Sequence, residues 1–174
     1  IFIGPRALTA LQFTLNPQDD SYDFNFEVYD YSHPAEAEPG ALKIDGSFLK
    51  DSKYIQTNIT LNSIYLDGIT NLAGQFLPEN QAQQLFNMSD TLYPYLISGD
   101  VYASTDLKTF SYNVPYVILA NSTKDNQALM FAVNGTDRNI QLNELSFIMG
   151  KYSLEATASL DRAPDSSDMF FSAD

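Results

Sequence analysis

Apolar and polar residues alternate with a period of two along most of the chain. From Lys151 to Asp161 the alternation has no fault: Tyr152, Leu154, Ala156, Ala158 and Leu160 fall on one side and charged or hydroxyl residues on the other. That period predicts a β-strand with one dry and one wet surface. Leu11, Phe13 and Leu15 predict another, ended by the turn signal Asn16-Pro17-Gln18-Asp19-Asp20. Tyr22, Phe24, Phe26 and Val28 predict a third, and Leu42, Ile44 and Phe48 around Gly46 a fourth. Ile55, Thr57, Ile59 and Leu61 then share a face before Ile64 and Leu66 take the opposite parity, which predicts a bulge near Asn62-Ser63.

Only the middle of the chain reads differently. Gln81 to Met88, after Pro78, predicts about two turns of helix around Leu85 and Phe86. Strands resume with Ile97, Gly99, Val101 and Ala103, then with Phe110, Tyr112, Val114 and Tyr116, where Pro115 predicts an edge position or a bulge. Leu129, Phe131 and Val133 lead to an Asn134-Gly135 turn, followed by Ile140 and Leu142, and by Leu145 and Phe147 on a shifted parity. Gly150 turns the chain into its most regular strand. A faint echo relates Leu42-Lys43-Ile44-Asp45-Gly46-Ser47-Phe48 to Tyr95-Leu96-Ile97-Ser98-Gly99-Asp100-Val101.

About nine or ten serial strands with one short helix predict an all-β antiparallel meander within a single domain spanning 1–174. Its dry side either closes into a β-sandwich or stays open as a curled hydrophobic groove. The stretches 53–66 and 107–119 would each reach about 40 Å, twice the length of an ordinary strand, and favour the extended, groove-forming meander.

Charge and chemistry narrow the function. A net charge of −13 repels a phosphate backbone and argues against nucleic acid. The clusters Asp19, Asp20, Asp23 and Asp161, Asp165, Asp168 lack the spacing of a calcium loop and read as solvated carboxylates. Cysteine is absent, which excludes thiolate catalysis and a disulfide framework. The single His33 lies in the turn-like SHPAEAEPG with no second His to share a metal. No nucleophile elbow or phosphate-binding loop is present, so no catalytic residue, metal or cofactor is assigned. A glycosidase needs only two carboxylates and stays open by inventory, but without Trp its sugar platform would be built from Tyr. Sequons at Asn58, Asn87, Asn121 and Asn134 are what chance supplies in a chain this rich in Asn, Ser and Thr. No apolar run approaches the length of a membrane helix, and the opening residues do not read as a signal peptide, so the chain is expected to be a soluble internal fragment of a longer repetitive protein.

The segments ALKIDGSFLKDSKYIQTNITLNSIYLDGI and ISGDVYASTDLKTFSYNVPYVILANS, with the run ALMFAVNGTDRNIQLNELSFIMGKYSLEATASLD, carry a resemblance over roughly Gly40 to Arg162. They resemble the repetitive β-strand region of the TamB family of AsmA-like bridge-type lipid-transfer proteins. The likeness lies in Gly-x-apolar strand starts and in an Ile-x-Leu-Asn-x-Leu-Ser-Phe strand before a glycine turn. It implies a bent sheet with a greasy inner face, in the periplasm of a diderm bacterium, within a parent anchored in the inner membrane. It also implies that phospholipid acyl chains are the cargo and that an outer-membrane assembly barrel protein binds other parts of the parent. The groove would be lined by Phe13, Leu15, Phe24, Phe26, Val28, Leu42, Ile44, Phe48, Ile55, Ile59, Leu61, Phe110, Tyr112, Val114, Phe131, Val133, Ile140, Leu142, Phe147, Tyr152 and Leu154. The aromatic strand Tyr22 to Tyr31 and the tail SSDMFFSAD have no assigned counterpart in that family. The competing expectation is a β-sandwich adhesion or carbohydrate-binding module of a secreted bacterial protein, with its ligand at loop ends rich in Tyr and Asp.

Overall fold

A computed structural model describes residues 2–3, 6–30, 40–74, 77–92, 94–124, 126–162 and 169–173. Each described strand pairs antiparallel with its neighbours in sequence, giving one eleven-stranded sheet in simple order. The strands are β1 (Phe2–Ile3), β2 (Arg6–Pro17), β3 (Ser21–Asp30), β4 (Gly40–Leu49), β5 (Tyr54–Tyr65), β6 (Tyr95–Thr105), β7 (Phe110–Asn121), β8 (Gln127–Thr136), β9 (Asn139–Met149), β10 (Tyr152–Arg162) and β11 (Met169–Ala173). Between β5 and β6 stand two helices, α1 (Leu66–Gly74) and α2 (Glu79–Leu92). The two ends of this order do not meet, so the sheet is open.

Strands β2 to β10 run ten to twelve residues, about 33–40 Å at ~3.3 Å per residue. The accessible surface is 11,291 Å². A compact monomer of 19.4 kDa would expose roughly 8,500 Å². A sheet that does not fold back on itself contributes to such an excess. A sandwich needs two sheets, and the described strands make one.

Buried apolar side chains are accordingly few among the described residues: Val28, Ala41, Ile64, Tyr65, Ala82, Val114 and Val117. Cross-strand pairing rather than a closed core holds most of the fold together. The helical insertion adds packing at one end of the sheet, where α1 lies against α2 and touches β5 and β6.

Three local expectations need correction. Leu66 does not continue the strand: the β5 ladder stops at Tyr65, opposite Leu96, and α1 starts there. Asp67 supports this start, its Oδ1 accepting from Gly68 N at 2.9 Å while its carbonyl accepts from Thr70 Oγ1 at 3.0 Å. The second helix covers Gln81 to Met88 but extends beyond it at both ends; the side chains of Leu85 and Phe86 lie outside the described set. Asn134-Gly135 is not a turn. Both residues are paired inside β8, and the chain reverses at Asp137-Arg138 instead. There Asn139 Oδ1 accepts from Thr136 N at 3.0 Å and Thr136 Oγ1 at 2.9 Å. His33, Asp165 and Asp168 lie outside the described residues.

Candidate functional site

The register assigns every residue of the sheet to a face. Pairing from β2 to β11 aligns Leu15, Phe24, Gly46, Thr57, Ala103, Tyr112, Gly135, Ile140, Leu160 and Phe171 in one lateral row. Next to it Phe13, Phe26, Ile44 and Ile59 continue towards Val114, Val133, Leu142 and Ala158, with Val101 at the irregular step. A third row carries Leu11, Val28, Leu42, Leu61, Gly99, Val117, Phe131, Leu145 and Ala156. Ile64, Ile97, Leu119, Leu129, Phe147 and Leu154 form a fourth. The four rows contain no charged side chain, and Thr57 is their sole residue from outside the apolar, tyrosine and glycine set.

All 21 residues expected to line an apolar face therefore share one side, Phe48, Ile55, Phe110 and Tyr152 lying just beyond these rows at the same parity. Tyr116, expected beside Phe110, Tyr112 and Val114, does not: it pairs with Asp100 on the opposite face. The cause is a bulge at Pro115, where two residues of β7 oppose single residues of β6 and β8. Two more bulges do the same work. That at Asn62-Ser63 returns Ile64 to the apolar side; Ser63 there has φ 49° and its amide donates to Ser98 Oγ at 2.9 Å. That at Asn143 keeps Leu142 and Leu145 together, two residues of β9 there opposing the single Thr157 of β10, whose own alternation is unbroken. Each parity shift in the sequence thus preserves one continuous dry face.

Exposure on this face rises towards its flanks. Val114 and Val117, in the middle of the sheet, are 7% and 3% exposed, whereas Phe13, Tyr152 and Leu154 are 61%, 66% and 57% exposed. Two aromatic rings spread over neighbouring glycines. A Cβ at Gly46 would collide with the ring of Phe24, and one at Gly135 would come within 2.6 Å of the Tyr112 hydroxyl. Flat contacts of this kind lower the relief of the face and explain the choice of glycine there. At one margin Tyr22 stacks on Phe48 with centroids 6.4 Å apart, while Lys50 Nζ sits 4.5 Å above Tyr22 and donates to the carbonyls of Gln18 and Asp19.

The other face is polar over most of its length, with Leu96, Ile118, Ala120, Ala128, Met130 and Ile148 on it towards the end that carries the helices. One lateral row reads Thr14, Asn25, Asp45, Asn58, Tyr102, Asn113, Asn134, Gln141, Ser159 and Ser172. Near the middle of the sheet this face holds a hollow of about 700 Å³, lined from β3 to β7 by residues such as Asp23, Asp45, Gln56, Asn58, Tyr102 and Asn113. Elsewhere on it Glu27 accepts a 2.6 Å hydrogen bond from the Tyr29 hydroxyl and faces Lys43 at 3.5 Å, so its carboxyl is held below its usual range, first by the tyrosine. In the turn after β6, Asp106 accepts from the amides of Thr109 at 2.7 Å and Lys108 at 3.0 Å, which lower its pKa to about 2.

Among the described residues no three His, Asp, Glu or Cys side chains form a group suited to a metal ion, and no helix is long and apolar enough to cross a membrane. Asn121, one of the sequon asparagines, is a buried turn anchor whose Oδ1 accepts from Thr123 N at 2.9 Å and whose Nδ2 donates to Gln127 Oε1 at 3.0 Å. No family model, curated protein or solved structure matches the chain.

Proposed function

We propose that this chain is a groove-forming segment of a lipid-transfer protein of the TamB kind, and that phospholipid acyl chains lie against its apolar face while their head groups stay in water. The observation that carries this reading is the set of four uncharged rows, the first crossing β2 to β11, the next two β2 to β10 and the fourth β5 to β10, with exposed apolar residues at both flanks. Ten strands at ~4.8 Å spacing make the face about 43 Å wide. Soluble monomers seldom leave apolar patches above roughly 300–600 Å² in water, and here Phe13, Leu15, Tyr152 and Leu154 of this face are each more than half exposed. Covering it yields about 25 cal/mol per Å², and an acyl chain needs no hydrogen-bond partner from its host.

The mechanism is passive. Rows without charge let a chain slide across strands with no charged step to cross, so no bond is made or broken and no cofactor is required. On this reading the parent protein is anchored in the inner membrane and spans the periplasm of a diderm bacterium, moving phospholipid towards the outer membrane. An outer-membrane assembly barrel protein would engage other parts of that parent.

The test is site-specific photocrosslinking in a bacterial host. A benzophenone side chain at Phe13 or Leu154 should capture phospholipid, and the same probe at Gln141 or Asn113 on the polar face should not. Equal labelling from both faces would remove the basis of the proposal.

A further inference from the structure

We propose that the polar face carries a second binding site, for an extended neutral oligosaccharide lying across β3 to β7. The site is the hollow of about 700 Å³, within the size range of small-ligand pockets, and none of the side chains argued from here belongs to the apolar rows.

Its chemistry selects the ligand class. The lining contains no Lys, Arg or His, so nothing there neutralises a phosphate or carboxylate, and the net charge of −13 repels both. Asp23, Asp45, Gln56, Asn58 and Asn113 offer donors and acceptors to sugar hydroxyls, and the larger, apolar part of the lining suits the C–H faces of the same rings. Tyr102 stands in the middle of the polar row at 46% exposure, with Tyr54 in the same hollow, giving aromatic faces for the apolar side of a pyranose ring. Asn25 Nδ2 donates to Asp45 Oδ1 at 2.7 Å, which fixes one carboxylate of the lining in place.

Two observations point to an occupant. Ser47 Oγ and Asn58 Oδ1, both at the hollow, are shielded from solvent without a hydrogen-bond partner. Buried polar atoms left in that state are costly, and a hydroxyl-rich ligand relieves the cost once Asn58 turns towards it. The second is periodicity. Asp45, Asn58, Tyr102 and Asn113 recur once per strand at ~4.8 Å, comparable with the advance of one sugar unit along an extended β-linked chain. Five strands offer a track of about 19 Å.

The test is titration of the full chain with cellohexaose and with chitohexaose, followed by calorimetry and by backbone amide chemical shifts. At least one should bind, with shifts confined to β3 to β7. Tyr102→Ala and, as an independent variant, Gln56→Ala should each weaken binding at least tenfold with unchanged far-UV circular dichroism. Leu154→Asp, on the other face, should leave it unchanged. Absence of binding by both hexasaccharides at millimolar concentration would overturn the proposal, as would binding insensitive to both hollow variants.

Discussion

Replacing Leu154 by Asp separates a surface that binds from a core that folds. Leu154 is 57% exposed, so the folded chain hides less than half of its side chain. Full burial of a leucine is worth about 1.5–3 kcal/mol, so the fold draws on the order of 1 kcal/mol from it and a covering acyl chain a similar or larger share. An aspartate there can stay hydrated in the free protein, but must lose water beneath an acyl chain, which adds to the loss on binding alone. The expectation is a fall in unfolding free energy of at most about 1 kcal/mol and a loss of fluorescent fatty-acid affinity of at least tenfold, since 1.4 kcal/mol is a factor of ten. Urea denaturation and a fluorescence titration on the same preparation give both numbers. A variant that binds as tightly as the parent, or one that loses several kcal/mol of stability, would refute the argument, because either result denies that the flank of the face is both open and used.

The buried centre should respond oppositely. Val117→Asp, at a position 3% exposed, should cost roughly 4 kcal/mol or more and abolish the cooperative urea transition. Gly99→Ala should destabilise by about 2–3 kcal/mol: φ is 153°, and the added Cβ would meet the Tyr116 carbonyl and approach Val117 Cγ2 to 2.9 Å, a loss visible as an earlier thermal midpoint. The Asp106 turn should loosen in acid. Its carboxyl has a pKa of about 2 against an ordinary 3.8, so its stabilisation is complete above pH ~4 and is lost as pH falls through 2; amide exchange at Lys108 and Thr109 should accelerate over that window, and Asp106→Asn should accelerate it already at neutral pH.

Period-two alternation made the strands and the apolar face legible, because in an open sheet no tertiary packing competes with the local pattern. The parity switches near Ser63, Pro115 and Leu142 were readable as breaks. At Pro115 the alternation alone does not fix which residue is extruded, and it places Tyr116 on the wrong side. The start of α1 was hidden because Ile64 and Leu66 keep strand parity while the ladder ends between them, a fact that depends on where β6 begins. Asn134-Gly135 has strong turn chemistry, but its glycine serves the close approach of the Tyr112 ring, a contact between strands that the local sequence does not encode. The polar hollow left no periodic signal either. Its residues look like the ordinary wet side of five strands, and only the register aligns Asp45, Asn58, Tyr102 and Asn113.

The paired glycines of the internal echo end in comparable places. Gly46 lies beneath Phe24 of β3, and Gly99 beside Val117 of β7, each on the apolar face and each before a turn into a strand of twelve residues. Both sites trade a side chain for close contact with the neighbouring strand.

Native mass spectrometry of the chain, purified from a bacterial host without detergent and followed by lipid extraction, tests the central claim most directly. Adduct masses matching phospholipid, present in the parent and lost in Leu154→Asp, are the predicted result. A lipid-free, stable monomer would contradict it and leave the apolar face without its proposed occupant.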